Sequence, residues 1–317
     1  MQVKKHHHIL PRLYLRGFAA RDNASFIWAY TKTKTFKPGG VQVKHNPARI
    51  PIAKAAMVPF AYGYTKMDGT FDSDTFENEL EKLEKPADPI FKKIRDRIMI
   101  DQDEKELFAS YLVMMHRRIP ELEEKVKKNW ADVLASSPEI ALLRSPEFLS
   151  RLTETRRTEL EIALARYESG PIKEVLLNAM ITDGGEVLAY LRKMRWRFLV
   201  ADGPSRFITG DHPVFTSGLG LIKIPAELTF PVSSEVTLHA SWQPGSEGFI
   251  TAPEKYIRQL NHRIAGNSQE VYYSRCEEWV VKILNKRDHP IYLLDVSGNL
   301  PLLWRYRDHD VPREWLA

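Results

Sequence analysis

The chain has 317 residues, 43% of them hydrophobic and 27% charged, with a net charge of +5. That is the make-up of a soluble globular protein with one large domain or two ordinary ones, and its mild basicity permits a polyanionic partner without requiring one. The single cysteine, Cys276, excludes an intrachain disulfide framework and a multi-cysteine zinc site, and no apolar run approaches the ~20 residues of a membrane span. A reducing cytoplasm is the expected compartment.

The chain opens on Lys5-His6-His7-His8-Ile9-Leu10-Pro11-Arg12-Leu13-Tyr14-Leu15-Arg16-Gly17-Phe18. Pro11 fixes φ and removes a donor, which suits a helix start, so His6–His8 reads as an extended lead-in and Pro11–Phe18 as a short helix. Leu10, Tyr14 and Phe18 then form one apolar face, and Arg12 and Arg16 share another. Alternation in the lead-in sets His6 and His8 on one side and His7 on the other. Phe26–Thr31 reads as a strand, Lys37–Gly40 as a turn and Val41–Val43 as the returning strand. The stretch from His45 to Met57 holds two prolines and little periodicity, and is expected to be a crossing loop. Phe60–Thr65 is short and aromatic, and a turn at Met67-Asp68-Gly69 follows.

A helix is predicted next, capped by Asp72, Ser73 or Asp74, with Phe76, Leu80 and Leu83 as its stripe. Glu77, Glu81 and Glu84 lie on neighbouring faces. Pro86 and Pro89 are expected to break this helix, with a restart over Ile90–Ile100. The middle reads as helical: Leu107, Tyr111, Met115 and Leu122 mark a buried face, and further helices follow through Ile172–Ile181 and Val187–Met194. Arg195–Val200 alternates as a half-buried strand should. Phe207–Thr209, Leu228–Val232, Val236–Ala240, Val271–Tyr273 and Trp279–Leu284 are read as further strands, with a helix from Pro253 to Ala265. A tail carrying Trp304, Tyr306 and Trp315 is expected to lie over the fold. The pattern predicts one large α+β domain. Its mixed or antiparallel sheet comes from residues 1–70 and 195–290, with a helical block inserted over 72–194 and a tail over 291–317.

Several of these pieces resemble one family. His8, Pro11, Tyr14, Leu15 and Phe18 fit H-x-x-P-x-x-Y-L-x-x-F, the opening of a mainly bacterial family, the domain of unknown function four-two-three-eight. Glu77, Leu80, Leu83 and Glu84 are similar to its E-x-x-L-x-x-L-E segment, and Trp196 and Phe198 to its W-x-F strand. Phe207, Ile208, Thr209, Asp211 and Pro213 resemble its F-I-T-S-D-x-P loop, Phe230 and Pro231 its F-P strand, and Leu260 and Asn261 its L-N helix. The resemblance brings no established activity. Two positions depart from it: Gly210 stands where the family usually has serine, and His212 where it commonly has asparagine. A hydrogen bond donated by that serine would be missing here.

The candidate chemistry lies in these segments. His8, Asp211, His212 and Glu77 are the candidate catalytic residues. His8 and Asp211 are also the candidate ligands of a divalent metal ion, manganese, magnesium or zinc. Arg12, Arg118 and Asn261 are candidates for holding an anionic substrate. Each has an ordinary structural reading beside the functional one. Asp211 can accept backbone N–H bonds in a turn, and His8 can be a buried imidazole satisfied by a carbonyl. Glu77 can pair with a lysine on its helix, Arg12 and Arg118 can form ion pairs, and Asn261 can cap a turn. H-E-x-x-H, the phosphate-binding glycine loops and G-x-S-x-G are all missing from the sequence. Two functions are therefore carried forward. One is a metal-dependent hydrolase of phosphodiesters, acting on nucleic acid or nucleotides. The other is a non-catalytic binding or interaction module, such as a stress or anti-phage defence component.

Overall fold

The computed structural model describes residues 6–37, 40–66, 69–118, 120–181, 184–217, 220–284, 286, 293–296 and 310–311. Strand β1 (His6–His8) leads into α1 (Arg12–Leu15), which tightens into a 3₁₀ turn over Arg16–Phe18. Next come the long strands β2 (Phe26–Lys37) and β3 (Gly40–Pro51), then the short β4 (Met57–Pro59), β5 (Tyr64–Thr65) and β6 (Phe71–Asp72). The helices α2 (Thr75–Arg95), α3 (Gln102–Arg117), α4 (Pro120–Ala135), α5 (Pro138–Leu143), α6 (Pro146–Ser150), α7 (Glu154–Ile181) and α8 (Gly185–Lys193) form the middle of the chain. Strands β7 (Arg195–Val200), β8 (Thr209–Gly210), β9 (Phe215–Thr216), β10 (Glu227–Pro231), β11 (Val236–Ser241) and β12 (Gly248–Thr251) follow. Helix α9 (Glu254–Asn267), β13 (Glu270–Tyr273) and α10 (Glu278–Leu284) end the described elements. The architecture is α+β, with sheets from both ends of the chain and a run of helices between them in sequence, as the sequence predicts. Among the described residues no helix is long and apolar enough to cross a membrane.

Two compact units divide the chain. The larger comprises His8–Met57, Lys82–His116 and Asp183–Ala317, the smaller Met1–His7, Val58–Glu81 and Arg117–Thr182. The larger unit holds a five-stranded sheet in the order β12-β7-β11-β10-β9, parallel only at β12–β7. Its inner strands are buried on both faces, so Arg195–Val200 is not the half-buried strand its alternation predicts. Arg197 is tolerated there because its guanidinium donates to the carbonyls of Gln243 at 2.9 Å and Pro244 at 2.7 Å. Phe91 and Phe108, from α2 and α3, meet Phe230 edge-on or tilted, and Tyr14 stacks on Phe230 at 5.0 Å.

The second sheet of this unit is antiparallel, in the order β3-β2-β13-β8, so strands from the two chain ends pair directly. Register sorts its faces. Ala29 and Thr209 oppose Tyr272, and Thr31 opposes Glu270, so these five positions share a face. The other face carries Tyr30, Val271 and Tyr273, packed with Ile264, Val280 and Leu284 of α9 and α10. This packing explains why Trp279–Leu284 is a helix and not the predicted strand. Val280 and Leu284, four apart, reach one core, and tertiary burial outweighs the strand preference of the residues.

The crossing loop predicted over His45–Met57 is instead largely strand, since β3 continues to Pro51. Its prolines fit because β3 is the outermost strand. Nor do Pro86 and Pro89 break α2. Both are exposed and leave the carbonyls of exposed Lys82 and Lys85 to water, while Ala87, Ile90, Phe91 and Ile94 bury the opposite side. The helix ends where Arg97 turns left-handed (φ 58°), with Ile98 N–H on the Lys93 carbonyl and Arg97 N–H on that of Ile94. The predicted turn residues 38–39 and 67–68 lie outside the described residues, as do 297–309 and 312–317 of the tail.

In the smaller unit β5 and β6 form a hairpin, and α4 packs along α7. Asp72 starts α2 as predicted, accepting the N–H groups of Asp74 at 3.1 Å and Thr75 at 3.0 Å. Burial alone would raise its carboxyl, but Lys66 at 2.8 Å and these donors hold it far below the usual carboxylate range.

Candidate functional site

His8 ends β1, and both its ring nitrogens are engaged. Arg12, one helical turn on, donates from Nε to His8 Nε2 at 2.9 Å, which leaves Nδ1 to donate to the Ala55 carbonyl at 3.1 Å. Burial, and then the Arg12 charge, lower the His8 pKa, against the pull of the Ala55 bond. A neutral imidazole whose remaining lone pair already accepts from a guanidinium is poorly set up to ligate a metal. The next residue, Ala56, is held left-handed (φ 50°) and accepts Ile9 N–H at 2.9 Å.

Ala56 lies near enough to the sheet for its N–H to pull the pKa of the Tyr272 hydroxyl down. That hydroxyl donates to Glu270, whose other carboxylate oxygen accepts from Thr31 Oγ1 at 3.0 Å. Burial, with the nearby charges of Glu270 and Asp211, keeps the Tyr272 phenol protonated well above its ordinary range. Tyr14 of the opening motif hydrogen-bonds Thr209 of the F-I-T segment, and both are fully buried. The two segments separated by the helical run thus meet through Tyr14.

Asp211 follows β8. Its Oδ1 and Oδ2 accept Gln269 N–H at 3.0 and 3.3 Å, and Oδ2 also accepts Glu270 N–H at 3.3 Å. Its own N–H donates to the Glu270 carbonyl at 3.0 Å, so the residue prolongs the β8–β13 ladder with a side chain. Burial pushes this carboxyl above the usual range, against the opposing pull of His212, the two backbone donors and Ser268. The space beside Gly210 is already filled: a Cβ there would lie 2.0 Å from Ser268 Oγ. Where the resemblance leads one to expect a serine, a hydroxyl arrives from residue 268. His212 is buried next to Asp211.

Asn261, on α9, spends both ends of its amide on the main chain leading to β8. Its Oδ1 accepts Ile208 N–H at 3.0 Å and its Nδ2 donates to the Arg206 carbonyl at 2.8 Å. Arg118 and Glu77 belong to the smaller unit. Arg118 is buried with its guanidinium 5.6 Å from the centre of the Tyr62 ring. Tyr62 in turn stacks on His7 at 5.3 Å and donates its N–H to His7 Nδ1 at 2.9 Å. Glu77 is half-buried in the first turn of α2, where a carboxylate complements the helix dipole.

Within the larger unit the structure therefore joins His8 to Arg12, and Asp211 to His212, Ser268 and the Glu270–Tyr272 pair. Among the described residues no group of three or more histidine, cysteine, aspartate or glutamate side chains gathers to hold a metal. Sequence reading missed Tyr272, Glu270 and Ser268. The alternation of Glu270 and Tyr272 across Val271 was the available signal, because strand residues two apart share a face.

It also missed a fully buried polar triad. Glu227 on β10 meets Arg263 of α9 at 2.5 Å and His239 of β11 at 2.9 Å, and accepts Leu294 N–H at 3.1 Å. Burial works to raise the Glu227 carboxyl, but Arg263 and His239 outweigh it and hold the group low. Glu227 and His239 lie diagonally across the β10–β11 pair, but Arg263 reaches them only through the packing of α9, which no spacing encodes.

No curated protein and no solved structure matches the chain. A family model described as "Protein of unknown function (DUF4238)" matches residues 6–278. That span takes in every motif residue placed above, from His8 to Asn261, and most of the 317-residue chain. The chain belongs to the DUF4238 family.

Proposed function

We propose that the chain is a binding or interaction module without hydrolytic chemistry, and that its polar motif residues are latches that hold the two chain ends in one fold. The observation that carries this reading is where their hydrogen bonds go. Asp211 and Asn261 direct both ends of their side chains to backbone groups, and His8 is committed to a carbonyl and a guanidinium. A catalytic carboxylate or imidazole needs a lone pair or proton aimed at a substrate. Tyr14, Trp196, Phe198, Phe207, Phe230 and Leu260, the apolar members of the motifs, are all buried, which further supports a structural role for the pattern.

The competing reading is a metal-dependent phosphodiesterase, and one experiment separates them. Purified wild type, His8→Ala and Asp211→Asn are assayed on DNA, RNA and cyclic nucleotides with Mn²⁺, Mg²⁺ and Zn²⁺, alongside urea unfolding. The expected result is no turnover by any of them, with His8→Ala unfolding earlier than wild type. Turnover by wild type that disappears in a folded Asp211→Asn protein overturns the proposal.

A further inference from the structure

We infer that the cleft between α9 and α10 is a binding site for a small, flat, aromatic acid, a monoanion with one ring system. Arg258, Asn261 and His262 sit at i, i+3 and i+4 on α9 and line one wall. Trp279 and Ile283, four apart on α10, line the other, and Ser205 closes one end. The cleft is open on one side and holds about 200 Å³, room for one small ring system, and its surface is mainly apolar. Apolar walls with a few polar groups are the usual lining of a small-molecule site.

Three features select the ligand. The Trp279 indole is fixed edge-to-face against Tyr273 at 5.4 Å and 72°, so its orientation is set before anything binds. Arg258 is exposed and has no hydrogen-bond or ion-pair partner among the described residues, so its planar fork is available for a carboxylate. Glu254, an acidic residue at the Ser205 end, accepts that serine's hydroxyl at 2.5 Å. Asn261 spends its amide on residues 206 and 208 and so supplies a rigid floor, not a ligand contact. An apolar ring lying against Trp279 and Ile283 with its acid group on Arg258 satisfies both walls.

This inference rests on the reading of the chain as a binding module, but its test has a separate readout. Full-length protein is titrated calorimetrically with 1-naphthoate and with its neutral counterpart 1-naphthamide. Wild type is expected to bind the acid with Kd about 0.1 mM and the amide ~10-fold more weakly. Arg258→Gln, a change at an exposed position, is expected to make the two equal, and Ile283→Trp to fill the cleft and abolish both. No heat from 1-naphthoate on folded wild type, or equal affinities of wild type and Arg258→Gln for it, overturns the assignment. Phosphodiester turnover in the earlier assay would sink the module reading and leave this titration to be judged by itself.

Discussion

The most informative perturbation is at Asp211, because a latch and a catalytic carboxylate predict opposite results there. Asp211→Ala removes the acceptor for two main-chain donors, Gln269 N–H and Glu270 N–H. Gln269 is exposed, so water can replace the lost bond there, whereas Glu270 is half-buried. At ~1–1.5 kcal/mol for each net bond, the loss comes to about 1–3 kcal/mol in urea unfolding at pH 7. Asp211→Asn keeps one carbonyl acceptor and is expected to lose less. The sign of the pH dependence is equally specific. Burial raises the folded-state pKa of this carboxyl, so its ionisation is less favourable in the folded chain than in the unfolded one. Its contribution to stability is full below the ordinary carboxylate range and is lost as pH climbs through the raised value. Asn cannot ionise, so Asp211→Asn should gain on wild type over that window. If wild type instead gains on the variant as pH rises, the backbone donors and His212 outweigh burial and the raised value is wrong; the latch argument itself fails if Asp211→Ala costs no stability.

Gly210→Ser places a Cβ 2.0 Å from Ser268 Oγ and is expected to cost ~1–3 kcal/mol. Adding Ser268→Gly should recover part of that loss, and a double-mutant cycle by urea unfolding checks the coupling. Arg263→Met leaves buried Glu227 with only His239 and the Leu294 N–H, and should cost ~3–5 kcal/mol. Wild-type Glu227 is held low, so it stabilises above the ordinary carboxylate range and loses that effect as pH falls. The Arg263→Met deficit should therefore be smallest in acid, and a deficit independent of pH would contradict the assignment. His8 should titrate below an ordinary histidine by NMR, with Arg12→Ala returning it part of the way, since burial is the larger cause. The stability His8 contributes is present above the ordinary imidazole value and lost as pH falls through the lowered one.

Periodicity revealed those parts of the fold whose local preference and burial agree. Leu10, Tyr14 and Phe18 face the core as their four-residue spacing requires, and β10 and β11 lie where apolar runs put them. It failed where position in the assembly overrules a residue's habit. Edge placement admits Pro47 and Pro51 to a strand, solvent beside α2 admits Pro86 and Pro89 to a helix, and a hydrophobic seat turns Trp279–Leu284 helical. The candidate site was legible as a set of segments and not as a set of contacts. Tyr14, Thr209 and Asp211 stood inside the motifs, but Tyr272, Glu270 and Ser268 join them through register and backbone approach, which no spacing encodes.

Those prolines on β3 bear on how the molecule behaves in company. Ile52 N–H points back toward the neighbouring strand, to the Ser25 carbonyl at 2.9 Å, so the amides of residues 47, 49 and 51 point outward. Two of those three positions are proline and offer no hydrogen. A stray strand arriving along the 47–51 end of that rim would find a single donor at Arg49 where it needs three, which makes that end a poor template for fibre growth.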